Sequence, residues 1–373
     1  MEHSGPRELL SEVIQKDLCI GCGACIDICP YFKSYKGTTV MLFPCTLAEG
    51  RCFAYCPKVE LDLDQLSRHF FEAPYSADPL GHYCFIGISR AGKKMTGSSF
   101  QAGGTVSAIM SFALQKGYLD GAVLTGREGL LPVPCFVTDP GGVLKCSTSK
   151  YTAAPTVSAL NKAIRDGYTK VGVVATPCQA HAVALIRSRG FDDGDYTDPV
   201  RLVVGLFCTW SLDFRRFEDF MKKNVPVDRI EKVDIPPPPA EIMEVYSTNG
   251  AKLEVPLDEI RQLVPKSCSY CFDMTAEFSD ISVGVLEGRP DMNTLIIRTE
   301  RGRKLVTEAV DEGYLTVDEI PEDALKHLIW AAGRKKERGL AKVRDEGMIH
   351  TTDRDRKPMI RLRDEILTRI TAP

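Results

Sequence analysis

The residues best suited to chemistry in this chain are its cysteines: fourteen in 373 residues, half of them between Cys19 and Cys56. The run Cys19-Ile20-Gly21-Cys22-Gly23-Ala24-Cys25-Ile26-Asp27-Ile28-Cys29-Pro30 has the C-x2-C-x2-C-x3-C-P spacing of bacterial ferredoxins. Three thiolates so spaced wrap one cube of iron and sulfur, the small residues let the backbone approach its sulfides, and the proline turns the fourth cysteine toward a different cluster. A zinc site would use two separated C-x2-C pairs. A second run, Cys45 to Pro57, keeps the terminal C-x3-C-P but has six residues between Cys45 and Cys52. Crossed ligation assigns Cys19, Cys22, Cys25 and Cys56 to one 4Fe-4S cluster. Cys29, Cys45 and Cys52 are then one thiol short of a second. They fit a 3Fe-4S cluster, a four-iron cluster completed by a remote residue such as Cys84, or none.

Further along, Cys178 follows a strand and opens a helix in Ala175-Thr176-Pro177-Cys178-Gln179, and Cys208 ends the strand Val203 to Phe207. Both positions are carboxyl ends of strands, where open α/β sheets build their sites. Cys268-Ser269-Tyr270-Cys271 supplies two more thiols. Four thiols suit another cluster or a zinc, and spacing alone also allows no metal. Cys135 and Cys146 have no spacing partner and read as structural. The glycine turn from Ser98 through Gly103, Gly104, Thr105 and Ser107 leads into a helix, whose free N–H groups and dipole suit a phosphate or a flavin pyrophosphate; a plain tight turn has the same look. Neither a nucleophile elbow nor a Cys/His hydrolase signature occurs.

These groups need a scaffold, and its outline is legible. Runs at Tyr83 to Ile88, Ala122 to Thr125, Val171 to Ala175 and Arg201 to Phe207 read as strands. Thr105 to Lys116, Thr156 to Arg165, His181 to Arg189 and Leu212 to Lys223 read as helices. Their alternation predicts an α/β (α+β) domain with a mixed or largely parallel sheet. Pro236 to Pro239 reads as an extended linker, and Ile242 to Ser247 with Lys252 to Val255 as a hairpin turning at Asn249-Gly250. The predicted organisation is a bacterial-ferredoxin-like domain over residues 1–66, a linker over 67–82, the α/β domain over 83–315 and a charged helical tail over 316–373. The tail, with its Arg334-Lys335-Lys336-Glu337-Arg338 stretch, reads as a solvated face or a docking surface.

Composition narrows the partners. Forty-seven Lys and Arg against fifty Asp and Glu leave a formal net charge of −3, so no global field favours nucleic acid. No run approaches the ~20 apolar residues of a membrane span. The N-terminus lacks a signal-peptide pattern, which predicts a cytoplasmic location and reduced thiols.

Taken together, the motifs resemble the coenzyme F420 hydrogenase/dehydrogenase beta subunit family, the FrhB/FdhB-like iron-sulfur flavoproteins. The likeness runs through Gly103-Gly104-Thr105-Val106-Ser107, Ser149-Lys150-Tyr151, Thr176-Pro177-Cys178-Gln179, Val204-Gly205-Leu206-Phe207-Cys208, Cys268-Ser269-Tyr270-Cys271, Asp280-Ile281-Ser282-Val283-Gly284 and Asn293-Thr294-Leu295-Ile296-Ile297-Arg298-Thr299. It implies that Cys178, Cys208, Cys268 and Cys271 hold one 4Fe-4S cluster beside an FAD. It also implies a flavin pocket formed by the glycine turn, Ser149, Lys150, Tyr151 and the loops around Thr176, Pro177, Gln179 and Asn293. Within that picture Lys150 and Arg298 are candidates to balance phosphate or reduced-flavin charge, or are ordinary ion-pair residues. His181 is a candidate catalytic proton donor, or a packed histidine. The activity implied is that of a flavin-dependent oxidoreductase with two or three clusters. It exchanges hydride with coenzyme F420 or a nicotinamide carrier, NAD(P)H, and passes electrons to a formate dehydrogenase, hydrogenase or heterodisulfide-reductase-like partner. The competing reading is a non-catalytic electron conduit within such a complex.

Overall fold

The computed structural model describes residues 4–98, 100–188, 198–236, 240–351 and 359–371. Ser99, Arg189 at the end of one predicted helix, and Pro237 to Pro239 of the predicted linker lie outside them. Helices of eight or more residues are numbered below.

A hairpin of β1 (Phe32–Tyr35) and β2 (Thr38–Met41) follows the first cysteine run, and β3 (Leu61–Asp62) leads into α1 (Leu63–Phe71), capped by the Asp62 carboxylate. The main domain then runs β4 (Phe85–Ala91), α2 (Thr105–Gln115), β5 (Gly121–Glu128), β6 (Leu131–Val137), α3 (Val157–Arg165), β7 (Val171–Ala175), α4 (Pro177–Ser188) and β8 (Val200–Leu206). Helix α5 (Phe214–Asn224) precedes a small sheet of β9 (Ile230–Asp234), β10 (Ile242–Ser247) and β11 (Lys252–Pro256). The chain re-enters the main sheet through β12 (Ile281–Leu286) and β13 (Arg289–Ile297), then α6 (Glu300–Asp311) and β14 (Leu315–Asp318). It closes with α7 (Glu322–Asp345), β15 (Ile349–His350), β16 (Ile360–Arg361) and α8 (Asp364–Thr371).

The main sheet has eight strands in the order β14-β4-β13-β12-β8-β7-β5-β6. Its centre, β12-β8-β7-β5, is parallel and both flanks are antiparallel. The sheet is therefore mixed, as predicted. Strand β7, Val-Gly-Val-Val-Ala, is buried at every position, which is why it is apolar throughout rather than alternating. The predicted hairpin is β10-β11, paired antiparallel. Strand β6 is not among the strands that periodicity predicts, because Pro132 and Pro134 interrupt it; it forms at the sheet edge, where a missing N–H costs nothing.

The two ends of the chain are not appendages. Leu9, Val13, Cys25 and Cys52 share one core with Leu185 of α4, Tyr270 and Phe272, Leu340 and Val343 of α7, and Ile360 and Leu367. Strand β16 pairs in parallel with β3, stitching the C-terminal segment to the N-terminal one. The expectation of a solvated tail is corrected here. Helix α7 buries Leu328, Ala332, Lys335, Lys336, Gly339, Leu340 and Val343, while Arg334 and Arg338 on its other side are exposed. Among the described residues no helix is long and apolar enough to cross a membrane.

Helix α7 is seated by a close backbone approach: a Cβ at Gly339 would stand 2.5 Å from the Cys271 carbonyl oxygen. Alanine favours a helix over glycine by about 1 kcal/mol, but overpacking costs about 1–3 kcal/mol. Gly339→Ala is therefore expected to lower the thermal unfolding midpoint. A raised midpoint would show that α7 can move away from the cysteine loop without loss.

Candidate functional site

Local sequence explains how the first cysteine run closes. Gly21 and Gly23 sit at φ +62° and +87°, and a Cβ on either would strike backbone, at the Gly37 oxygen (2.2 Å) or the Pro155 oxygen (2.4 Å). The glycines thus serve close approach of neighbouring backbone, a different reason from the sulfide access expected above. Asn161 of α3 reaches from the large domain and donates through Nδ2 to the carbonyls of Ala24 (3.0 Å) and Ile26 (2.7 Å). The Val157 N–H donates to the Cys22 carbonyl at 3.0 Å. Nothing in the sequence marks Asn161 for this task.

The thiols gather in three groups. Cys19, Cys22, Cys25 and Cys56 line one pocket with Leu9, Val13, Thr39 and Lys58. Burial pushes the Cys22 thiol well above its ordinary value, and Cys56, Cys25 and Cys19 push it further. Cys52 is pushed up to about 12, first by burial, then by Cys29 and Cys45. Cys178, pushed up to about 11 by burial, feels Cys271 and Cys268; Cys208 feels burial, then among its neighbours Cys178, Cys268 and Cys271. Groupings that the sequence only implied are therefore spatial neighbours. Among the described residues no three His, Cys, Asp or Glu side chains stand close enough to grip a single metal ion, as a zinc with Zn–S bonds of about 2.3 Å would require.

Cys84 does not join the Cys29 group. It is exposed, and its thiol donates to the Ile297 carbonyl at 3.3 Å. Cys135 and Cys146, read as unrelated structural residues, are in fact neighbours: Cys146 is pushed up to about 11 by burial and then by Cys135.

Two lysines invisible to motif reading complete the arrangement. Lys335 of α7, 3% exposed, donates to the Cys208 carbonyl at 2.5 Å. Burial pulls its ammonium down, yet Cys271 and Cys208 hold it above its ordinary value. Lys58, 6% exposed, lines the first pocket and also acts on Cys178 and Cys268. Lys336 points elsewhere, into a buried ion pair with Glu277 at 3.0 Å.

The remaining predicted residues divide between two places. Thr176 and its neighbours face the thiols: the Thr176 hydroxyl lies 3.4 Å from the Cys178 sulfur, Pro177 opens α4, and Gln179 Nε2 donates to the Ala154 carbonyl (2.9 Å) and the Thr156 hydroxyl (3.1 Å). The other group surrounds the start of α2. Gly104 is its N-cap at φ +78° and, being glycine, offers no side chain of its own to cap the helix. Asn293 Oδ1 accepts from the Thr105 N–H at 3.2 Å, and its Nδ2 donates to the Gly284 carbonyl at 3.1 Å. Gly103 lies against Asn293 and the Ser89 carbonyl too closely for any Cβ. Ser98 is half-buried and Ser107 buried. Gln101 accepts from the Ser149 N–H (2.8 Å) and donates to the Tyr151 hydroxyl (3.3 Å). Lys150 donates to the Cys146 carbonyl at 2.7 Å and is lowered to about 8, chiefly by burial. The remaining first-turn N–H groups of α2, uncapped by a side chain, are what a pyrophosphate requires.

Two residues belong to neither place. Arg298 is 5% exposed and spends all five donors on the protein. Its Nε donates to Ser282 Oγ (2.8 Å), Nη1 to the Leu80 (2.7 Å) and His82 (2.8 Å) carbonyls, and Nη2 to the Thr275 carbonyl (3.2 Å) and hydroxyl (2.9 Å). No donor remains for a flavin. His181 is buried between the rings of Phe272 and Phe278 and paired with Asp273 at 3.2 Å. That is a packed histidine, with none of its contacts on the glycine turn.

Comparison with known proteins identifies the family of the chain. The family model for the C terminus of the coenzyme F420 hydrogenase/dehydrogenase beta subunit matches residues 168–323, that for the N terminus of the same beta subunit matches 89–161, and a 4Fe-4S binding domain matches 12–31. The chain is 32% identical to coenzyme F420 hydrogenase subunit beta of Methanococcus voltae, over 72% of this chain and 98% of that one. It is 30% identical to one of the subunits of F(420)H(2) dehydrogenase from Methanosarcina mazei, over 84% and 88%. Coenzyme F420-dependent sulfite reductase of Methanocaldococcus jannaschii is 30% identical over 79% of this chain, which spans only 46% of that relative's length. A chain of the F420-reducing NiFe hydrogenase complex from Methanosarcina barkeri superposes with a TM-score of 0.66 at 26% identity, covering 72% of this chain and 93% of that one.

Because Arg298 staples the protein to itself, Arg298→Met should cost about 3 kcal/mol or more, the scale of breaking a buried charged network. Any flavin held per folded molecule should be unchanged. Urea unfolding and flavin content measured on the same sample check this, and a selective loss of flavin would return Arg298 to the pocket.

Proposed function

The chain belongs to the coenzyme F420 hydrogenase/dehydrogenase beta subunit family and carries an N-terminal 4Fe-4S ferredoxin domain, and on that premise we propose that it is a flavin-dependent subunit linking a diffusible hydride carrier to a redox partner. The carrier is coenzyme F420 or a nicotinamide. FAD, when bound, supplies the two-electron to one-electron conversion that hydride chemistry and iron-sulfur clusters together need. The start of α2, with Gly103, Gly104, Thr105, Ser107 and Asn293, would hold its pyrophosphate, and Ser149, Lys150 and Tyr151 would line the adjoining wall. Cys178, Cys208, Cys268 and Cys271 would hold one 4Fe-4S cluster and Cys19, Cys22, Cys25 and Cys56 another. Cys29, Cys45 and Cys52 would hold a third with three protein thiols.

The observation that carries this reading is the short segment Thr156 to Val157, which hydrogen-bonds both the N-terminal cysteine run and the residue next to Cys178. The Val157 N–H donates to the Cys22 carbonyl; its neighbour Thr156 accepts from Gln179, the residue after Cys178. A route for single electrons from the flavin side to the N-terminal cysteines therefore crosses tightly packed protein rather than solvent. The Cys25 thiol also feels Cys52, which extends the same route to the Cys29 group. Relatives whose names specify a hydrogenase, a dehydrogenase and a sulfite reductase support a redox subunit whose partner varies. Partners of the hydrogenase, formate dehydrogenase or heterodisulfide-reductase type fit that pattern.

Anaerobically purified chain should show flavin peaks over a broad iron-sulfur shoulder. The flavin should bleach on addition of reduced F420, NADH or NADPH. No bleaching with any of the three would leave an electron conduit that meets no carrier. Cys271→Ser should lose one cluster's worth of iron and acid-labile sulfide while the N-terminal signals persist; unchanged iron would reject its ligand role.

A further inference from the structure

The three thiol groups leave Cys84, Cys135 and Cys146 without a task. Cys84 faces solvent, but the other two are brought together by a tight return of the chain. Cys135 lies on β6 opposite Leu124 of β5, so its side chain shares a sheet face with Leu124 and with Gly126 two residues on. After β6 the chain turns at Asp139, whose carboxylate accepts from the Gly142 N–H at 3.0 Å, and Pro140 opens the short helix Pro140–Lys145. That helix lies back against the strand it has just left: a Cβ on Gly142 would stand 2.8 Å from the Val137 Cβ. Cys146 ends the helix and packs on the same core as Leu124 and Val143.

Gly126 is the meeting point. A Cβ there would stand 2.5 Å from the Cys135 sulfur and 3.8 Å from the Cys146 sulfur, so both sulfurs converge over a residue with no side chain. The other acceptor of the Cys135 thiol, the Val133 carbonyl, is 3.8 Å away. Both cysteines are half-buried, open to a slender reagent. We propose that Cys135 and Cys146 form a redox-active dithiol whose substrate class is a low-molecular-weight disulfide. One thiolate of the pair attacks a sulfur of the small disulfide, whose S–S bond breaks and releases one small thiol. The second cysteine thiolate then displaces the other small thiol and leaves a Cys135–Cys146 bond. Two protons and two electrons leave the pair and appear in the two small thiols, so no further oxidant is needed. The new bond would tie the edge strand β6 to the segment that runs on to Ser149, Lys150 and Tyr151, in which Lys150 already holds the Cys146 carbonyl at 2.7 Å. Neither iron nor flavin enters this step, so it stands apart from the cluster and cofactor assignments above.

The test treats the anaerobic full chain with hydroxyethyl disulfide, alkylates the thiols that remain, and maps tryptic peptides by mass spectrometry. Cleavage after Arg127, Lys145 and Lys150 puts Cys135 and Cys146 on separate peptides that carry no other cysteine. The expected result is the loss of both alkylated peptides and the gain of one linked pair, which dithiothreitol separates. In Cys146→Ser the link should vanish and Cys135 should carry a single adduct of the reagent. Exposed Cys84 should carry that adduct in every sample, which shows that the reagent was active. The proposal is overturned if Cys135 and Cys146 stay alkylated while Cys84 carries the adduct, or if each takes up its own adduct and no link forms.

Discussion

The rest of the site depends on the seating of the first cysteine run against the start of α3. Asn161, buried, bonds the run's carbonyls through one amide group, and the Val157 N–H takes the Cys22 carbonyl. These bonds are made in dry surroundings, where leaving a carbonyl unpaired would cost about 1–3 kcal/mol. They are also made between distant parts of the chain, since Asn161 and Ile26 are separated by 135 positions. A ferredoxin-like segment on a flexible tether could present its thiols in any orientation. This one has its orientation fixed by the Asn161 amide and by the Val157 N–H, which ends the short segment Ala154 to Val157 that Gln179 clamps beside Cys178.

The same constraint explains the C-terminal helix. Gathering four thiols from α4, the end of β8 and the loop before β12 leaves an open side, and α7 closes it with Leu340, Val343 and the bare backbone of Gly339. The closing face carries charge because what it covers carries charge. Lys335 meets the Cys208 carbonyl, and Lys336 meets Glu277, whose carboxyl is itself raised by burial. Beneath them, Asp273 and Arg298 continue a buried polar layer in which nearly every group has a protein partner. Such a layer rigidifies the loop that holds Cys268 and Cys271.

Reading by periodicity succeeded where burial was uniform and failed where a remote contact reversed a local signal. Strand β7 and the β10-β11 hairpin follow from composition and turn chemistry alone. Strand β6 was obscured by two prolines that an edge tolerates. In the stretch Arg334-Lys335-Lys336-Glu337-Arg338 the local sequence reads as a solvated face, yet two of its lysines are among the most buried side chains present. Their charge masks the helical spacing that sets them on one face with Leu328, Ala332, Leu340 and Val343, the face that covers the cysteine loop. Arg298 is the converse: a plausible anion partner by type, it is fully spent on carbonyls and hydroxyls from three distant segments.

What the sequence determined by itself is the local chemistry: which cysteines lie close enough along the chain to serve one cluster, where a helix begins on glycine, and that a parallel sheet stands behind them. Those properties depend on a few consecutive residues and on fixed geometric periods. Tertiary structure decided everything that depends on which distant groups meet in a dry place. It brought Cys135 beside Cys146, sent Cys84 to the surface, packed His181 between phenylalanines, and buried Lys335 against the Cys208 carbonyl. Burial strengthens each charge and makes each unpaired group costly, so the partners of the buried groups, rather than their types, fix what the site can do.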